Sequence, residues 1–140
     1  MSLTDKILTI LVTGANGQLG NEFKVLDHNF PFCQFLFVAK EELNIGDISS
    51  LKKYFAGHSI DYCINCAAYT AVDKAESEPE LAQIVNAQAP GVLAQEAKQL
   101  NAWLIHYSTD YVFNGESNQP YLETEVTDPI SIYGKTKLEG

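Results

Sequence analysis

Tyr133 and Lys137 stand four residues apart in Tyr133-Gly134-Lys135-Thr136-Lys137, a Y-x-x-x-K arrangement. On a helix, positions i and i+4 share a face. A phenol alone, with a pKa of about 10, moves protons poorly at neutral pH. A neighbouring ammonium stabilises the phenolate and lowers that pKa. The phenol can then protonate a carbonyl oxygen while a hydride reaches the carbon. Upstream, His106-Tyr107-Ser108-Thr109-Asp110 closes an apolar run. If that run is a strand of an open α/β sheet, its carboxyl end faces the ligand crevice. Thr109 is then placed to donate a hydrogen bond to the same carbonyl, and Asp110 to accept one from a substrate hydroxyl. His106 falls inside the run and reads as a packed core histidine.

A second constellation lies near the N-terminus. The apolar run Ile7–Thr13 leads directly into Gly14-Ala15-Asn16-Gly17-Gln18-Leu19-Gly20, a G-x-x-G-x-x-G turn. The first glycine permits a tight turn, the second a close approach of pyrophosphate to backbone, and the third close helix–strand packing. The amides opening the next helix then face the phosphates. A strand before and a helix after are the context such a turn needs to hold a dinucleotide. The acid that usually binds the adenosine ribose is absent. Ala39-Lys40 occupies that position, and a cation there suits a 2′-phosphate, favouring NADPH with NADH as the alternative. Glu41 and Glu42 follow immediately.

These residues need elements to position them. Apolar runs at Ile7–Thr13, Gln34–Ala39, Glu42–Ile45, Tyr62–Ala67 and Trp103–Ser108 read as strands covered on both faces. Helical patterns alternate with them at Gln18–Leu26, Ser49–Phe55 and Glu80–Leu100, the last with Pro90 marking a kink or break. Alternating βα units imply an α/β fold, a doubly wound parallel sheet of Rossmann type with right-handed crossovers. Residues 114–129 read as a long polar loop of the functional kind. A further helix is expected to start near Ser131. Phe35, Phe37 and Trp103 read as core aromatics, and the acidic stretch Ala71–Glu80 as a solvated helix start.

The 140 residues suit one domain, read as residues 1–140 of dinucleotide-binding type. A net charge of −9 argues against a nucleic-acid partner. No apolar run is long enough to span a bilayer, so no membrane partner and a cytoplasmic location are expected. Met1-Ser2-Leu3 has the look of a cloning scar. Three cysteines and no leader argue against a disulfide framework. Cys63 and Cys66 form C-x-x-C within a strand pattern, where residues three apart point to opposite faces, so they read as structural.

Taken together, GANGQLG at 14–20, NCAAYTAVDKAESEPE at 65–80, VNAQAP at 85–90, HYSTDYVFNG at 106–115 and PYLETEVTDPISIYGKTKLEG at 120–140 resemble the dTDP-4-dehydrorhamnose reductase family, extended short-chain dehydrogenases. The S-T-D-Y-V-F run separates it from nucleotide-sugar dehydratases, whose equivalent usually reads T-D-E-V-Y-G. The resemblance implies reduction of the C4 ketone of dTDP-4-dehydro-L-rhamnose by a nicotinamide hydride. It implies Tyr133 as proton donor, Lys137 tuning it and binding the nicotinamide ribose, and Thr109 polarising the ketone. Thr109 and Asp110 would touch the sugar. Gly17, Gln18 and Leu19 would meet the pyrophosphate, with Gly14, Asn16 and Gly20 completing the turn. Asn44-Ile45 stands where the family has an acid-plus-apolar pair beside the adenine. Ala67, Ala68 and Tyr69 would line the cofactor, and Tyr107 would lie beneath the nicotinamide. Some members hold Mg²⁺ at a homodimer interface, and Glu22 is the nearest match here. The resemblance also implies that the last strands and a substrate domain lie outside these residues, so that this chain holds cofactor without fully enclosing the sugar nucleotide. Two other readings stand beside it. One is a non-catalytic dinucleotide-binding regulatory subunit, like that of methionine adenosyltransferase. The other is a nucleotide-sugar epimerase or dehydratase, which returns its hydride to its own product.

Overall fold

The computed structural model describes residues 6–140; the expectation for residues 1–3 falls outside them. Four parallel strands form one sheet: β1 (Leu8–Thr13), β2 (Cys33–Val38), β3 (Tyr62–Asn65) and β4 (Trp103–His106), in the order β2-β1-β3-β4. The register sets Leu11 between Leu36 and Cys63, and pairs Cys63 with Leu104. The α-helices are α1 (Gln18–Leu26), α2 (Ile48–Ala56), α3 (Val72–Ala75), α4 (Pro79–Gln83), α5 (Ala89–Gln99) and α6 (Ile132–Glu139).

The strand order explains where a ligand can sit. The chain leaves β1 toward β2 through α1, and leaves β3 toward β4 in the opposite direction through α5. Right-handed crossovers therefore place α1 on one face and α2 and α5 on the other. Where the two paths diverge, the carboxyl ends of β1 and β3 leave a crevice. The side toward α2 and α5 holds the main core, in which Leu11, Cys63, Leu51, Phe55 and Leu93 are buried. Burying each of the large apolar side chains contributes about 1.5–3 kcal/mol. Asp47 starts α2 by accepting from the Ser50 amide, which satisfies one of the helix's otherwise unpaired donors.

Four readings of the sequence change. Glu42–Ile45 is a turn, not a strand: Leu43 N–H donates to the Ala39 carbonyl and the Glu42 carboxylate accepts from Ala39 N–H. Leu43 and Ile45 are buried and Asn44 is exposed, so the alternation is real, but no strand among the described residues pairs with it. The long helix is not broken at Pro90. Its irregularity lies one turn earlier, in a π-helical turn at Ile84–Gln88, where Ala89 N–H donates to the Ile84 carbonyl. A wider turn there relieves the crowding that a proline ring imposes on the preceding turn. Trp103 is 71% exposed and Ile105 41%. They lie on the β4 face away from Leu104, beyond the cover of α1, so Trp103 is no core residue. The acidic segment is not merely a solvated helix start. Glu76 accepts from Ile132 N–H at the start of α6 (2.8 Å), and Glu78 accepts from the Tyr69 hydroxyl (2.7 Å).

Candidate active site

The glycine turn lies at the crevice. Gly14 has φ +63°, the left-handed conformation glycine tolerates, and a Cβ there would stand 2.6 Å from Ala67 N. This close approach brings the β1 turn against the chain leaving β3. Gly20 meets the same turn from α1, where a Cβ would lie 2.5 Å from the Gly14 carbonyl oxygen. At Gly17 a Cβ would approach only that carbonyl, at 3.2 Å, so its other side is open. Gly14, Asn16, Gly17, Lys40, Asn44, Ile45, Ala67 and Ala68 line one cleft of about 220 Å³, joined by Glu41 and Cys66. Gln18 and Leu19 are exposed in the first turn of α1, which carries no acidic residue and no side-chain cap. Its first N–H groups thus have no helical acceptor and suit an anion. The donor set fits a dinucleotide's pyrophosphate. Glu42 is engaged at the Ala39 amide, which leaves Lys40 exposed at the cleft mouth.

The second half of the site is built on α6. Ser131 accepts from Gly134 N–H and opens this helix. Gly134 makes tight docking feasible, because a Cβ there would stand 2.2 Å from the Tyr111 carbonyl oxygen. The Tyr133 ring meets Tyr111 edge-on, with centroids 5.3 Å apart. Lys137 is only 5% exposed, and its ammonium donates to the Tyr107 carbonyl at 2.6 Å. Burial lowers its pKa from the ordinary lysine value. Tyr133 and Lys137 therefore share the helix side that faces the end of β4. The Thr109 hydroxyl donates to Asp110 (3.1 Å) and accepts from Tyr111 N–H (3.2 Å). A cavity of about 360 Å³ opens beside these residues, lined by Asp110, Tyr111, Phe113, Asn114 and Ser131 among others.

Three residues that sequence reasoning assigned no site role organise this arrangement. Asn86, fully buried in the π-helical turn, accepts from Tyr69 N–H (2.8 Å) and donates to the Tyr69 carbonyl and to the Thr136 hydroxyl. It ties the loop after β3 to α6, while the Tyr69 hydroxyl is turned to Glu78. Asn65 bridges Thr13 and His106. His106 is half-buried rather than simply packed: its Nδ1 faces Asn65 and its Nε2 lies 3.5 Å from the Lys137 ammonium nitrogen. Burial first, and the Lys137 charge second, lower its pKa. For Asn65 and His106 the signal available was a polar residue inside an apolar strand, which needs a buried partner.

The cysteines are free, and burial pushes Cys63 up to about 12 and Cys66 up to about 11, so neither is a ready nucleophile. Glu22 is exposed on α1. Among the described residues no three His, Cys, Asp or Glu side chains are grouped to hold a metal, and no helix is long and apolar enough to cross a membrane.

A parallel α/β sheet with a glycine turn at its switch point, and a buried lysine one helical turn beyond a tyrosine, defines a Rossmann-like domain of the extended short-chain dehydrogenase type. The chain belongs to the family described as RmlD substrate binding domain, whose profile matches residues 8–140. It is 43% identical over 137 residues to the dTDP-4-dehydrorhamnose reductase of Burkholderia thailandensis, covering 95% of this chain and 44% of that protein. A dTDP-4-dehydrorhamnose reductase structure from Clostridium acetobutylicum superposes with a TM-score of 0.89 at 41% identity, over 94% of this chain and 47% of that one. The Bacillus anthracis enzyme in complex with NADP gives 0.88 at 36%, again over 94% and 47%. The chain thus spans somewhat under half the length of these relatives.

Proposed function

We propose that this chain supplies the cofactor site and the proton-transfer residues of an NADPH-dependent dTDP-4-dehydrorhamnose reductase. The observation that carries the reading is the Tyr133–Lys137 pair on one side of α6, with Lys137 drawn onto the end of β4. That end lies beside the glycine-turn crevice. A reductase that resembles this chain was solved with NADP, which supports the cofactor choice. Lys40 at the cleft mouth would pair with the 2′-phosphate.

Bound NADPH supplies the hydride that reaches C4 of the sugar. The Tyr133 hydroxyl gives its proton to the C4 oxygen, so the ketone becomes an alcohol and the phenol becomes phenolate. Lys137 stabilises that phenolate by its charge. Its lowered pKa makes it a better proton donor for restoring the phenol than an ordinary surface lysine. Thr109 exchanges its hydrogen bond with Asp110 for one to the C4 oxygen, which frees the Asp110 carboxylate to accept from a sugar hydroxyl.

The test follows NADPH oxidation with dTDP-4-dehydro-L-rhamnose in a protein that carries this chain at the full length of its relatives. Tyr133→Phe should lower kcat by about 10²–10⁴-fold with the NADPH Kd unchanged. Bound NADPH without turnover in the parent would point to a regulatory subunit. Conversion of a nucleotide sugar without net NADPH loss would point to an epimerase or dehydratase.

A further inference from the structure

The hydrogen bonds running from Thr13 through Asn65 to His106 have a direction that chemistry forces. Asn65 is 2% exposed, and its amide could be placed either way round by shape alone. The backbone settles it. Ala67 N–H can only donate, and it meets Asn65 Oδ1 at 3.2 Å. The Thr13 hydroxyl meets the same oxygen at 2.6 Å and donates to it. The Asn65 amide nitrogen is thereby left facing His106 Nδ1, at 3.0 Å. An amide NH₂ has no acceptor site, so Nδ1 must be the unprotonated ring nitrogen. The imidazole proton then sits on Nε2, so the 3.5 Å approach of the Lys137 ammonium sets two donors side by side without a hydrogen bond, a looser contact than the 3.0 Å one by which Asn65 makes Nδ1 the acceptor.

We propose that His106 is a positioning residue for Lys137, locked by Thr13 and Asn65 as the neutral Nε2–H tautomer so that it never becomes a second cation beside the ammonium. Protonating the ring would set Nδ1–H against the Asn65 N–H, and turning the Asn65 amide to relieve this would set its NH₂ against Ala67 N–H. Both routes put donor against donor inside the sheet. The titratable groups next along these strands are Cys66 and Tyr107, and both are held protonated, Cys66 by burial and Tyr107 by burial and then the nearby Cys66. Lys137 is the cation on the α6 side. With His106 unable to charge, the ammonium keeps its place on the Tyr107 carbonyl as pH falls through the usual imidazole range. The benefit to turnover rests on the reductase reading; the tautomer does not.

The experiment is ¹⁵N NMR of the labelled chain, reading both ring nitrogens of each histidine, with His106→Gln to assign the His106 signals among the three histidines. The expected result is a pyridine-type shift at Nδ1 and a pyrrole-type shift at Nε2, with titration displaced below the ordinary imidazole value of about 6.5. Asn65→Asp replaces the donor by an acceptor of the same shape. It should move the proton to Nδ1 and bring titration to, or above, that ordinary value. An Nδ1–H tautomer in the parent, or a His106 that titrates near 6.5, overturns the proposal without need of any variant. So does a folded Asn65→Asp chain whose ring shifts and titration match the parent. Failure of the reductase reading is visible separately, as absent NADPH oxidation in the full-length protein with the ring shifts unaltered.

Discussion

Gly134→Ala sets local helix preference against tertiary contact, and the two give opposite signs. In an exposed helix the change stabilises by about 1 kcal/mol, because alanine loses less backbone freedom. In this structure the new Cβ would stand 2.2 Å from the Tyr111 carbonyl oxygen and 3.1 Å from Pro129 Cβ, against an ordinary contact starting near 3.4 Å. The first obstacle is backbone, so α6 or the Asp110–Val112 turn must retreat by roughly 1 Å, and overpacking of this kind typically costs about 1–3 kcal/mol. A backbone obstacle puts the cost toward the upper end of that range, so the net loss should reach up to about 2 kcal/mol, or up to roughly a 1 M lower urea midpoint at the usual slope for small proteins. Tyr133 and Lys137 move with α6, and a displacement of about 1 Å at reacting groups can cost about 100-fold in rate. Urea unfolding and single-turnover NADPH oxidation measure the two effects. Gly91→Ala is the control, since nothing lies within 4 Å of a Cβ there, and it should be neutral or stabilising by up to about 1 kcal/mol. A Gly134→Ala protein more stable than the parent, with unchanged turnover, would refute the docking argument.

Other outcomes follow from single contacts. Lys40→Met should weaken NADPH binding roughly ten- to a hundredfold, the worth of a charge-assisted hydrogen bond, and leave NADH binding unchanged; fluorescence titration with both cofactors checks this. Asn86→Leu should destabilise by about 3 kcal/mol, because it strands the buried partners at Tyr69 and Thr136, and urea unfolding reads it. Asp61 has its carboxyl pKa lowered by the Lys6 ammonium first and by Thr9 N–H second. The unfolded chain therefore binds more protons at acid pH, so this contribution is complete above the ordinary aspartate value and is lost as pH falls through the lower folded one. Asp61→Asn should lower the neutral-pH melting temperature and flatten the acid limb below pH about 4. A parallel shift at every pH would show that the Asp61 contacts are not electrostatic.

Some of this site was written in short-range pattern. The glycine turn was legible because Gly14, Gly17 and Gly20 recur within seven residues, between a strand and a helix that each announce themselves. The Tyr133–Lys137 pair was legible because helix geometry alone fixes their common side. Asn65, Asn86 and His106 were not, since each is defined by a partner 17 to 52 residues away. Trp103 was misread because a strand's composition does not tell which of its faces a helix will cover.

The sequence by itself determined the βα alternation, the glycine turn and the phenol–ammonium spacing, because these rest on hydrogen bonds and periodicities that close within a turn or a strand. The tertiary structure decided the β2-β1-β3-β4 order, and with it the crevice where the Gly14 turn meets Ala67. It decided that Glu42–Ile45 finds no strand to pair with, and that Lys137 lies buried between His106 and the Tyr107 carbonyl. The physical reason is common to all of these: a strand's neighbours and a buried polar atom's partner are chosen by packing across the whole sheet, and no local window contains both members of the pair.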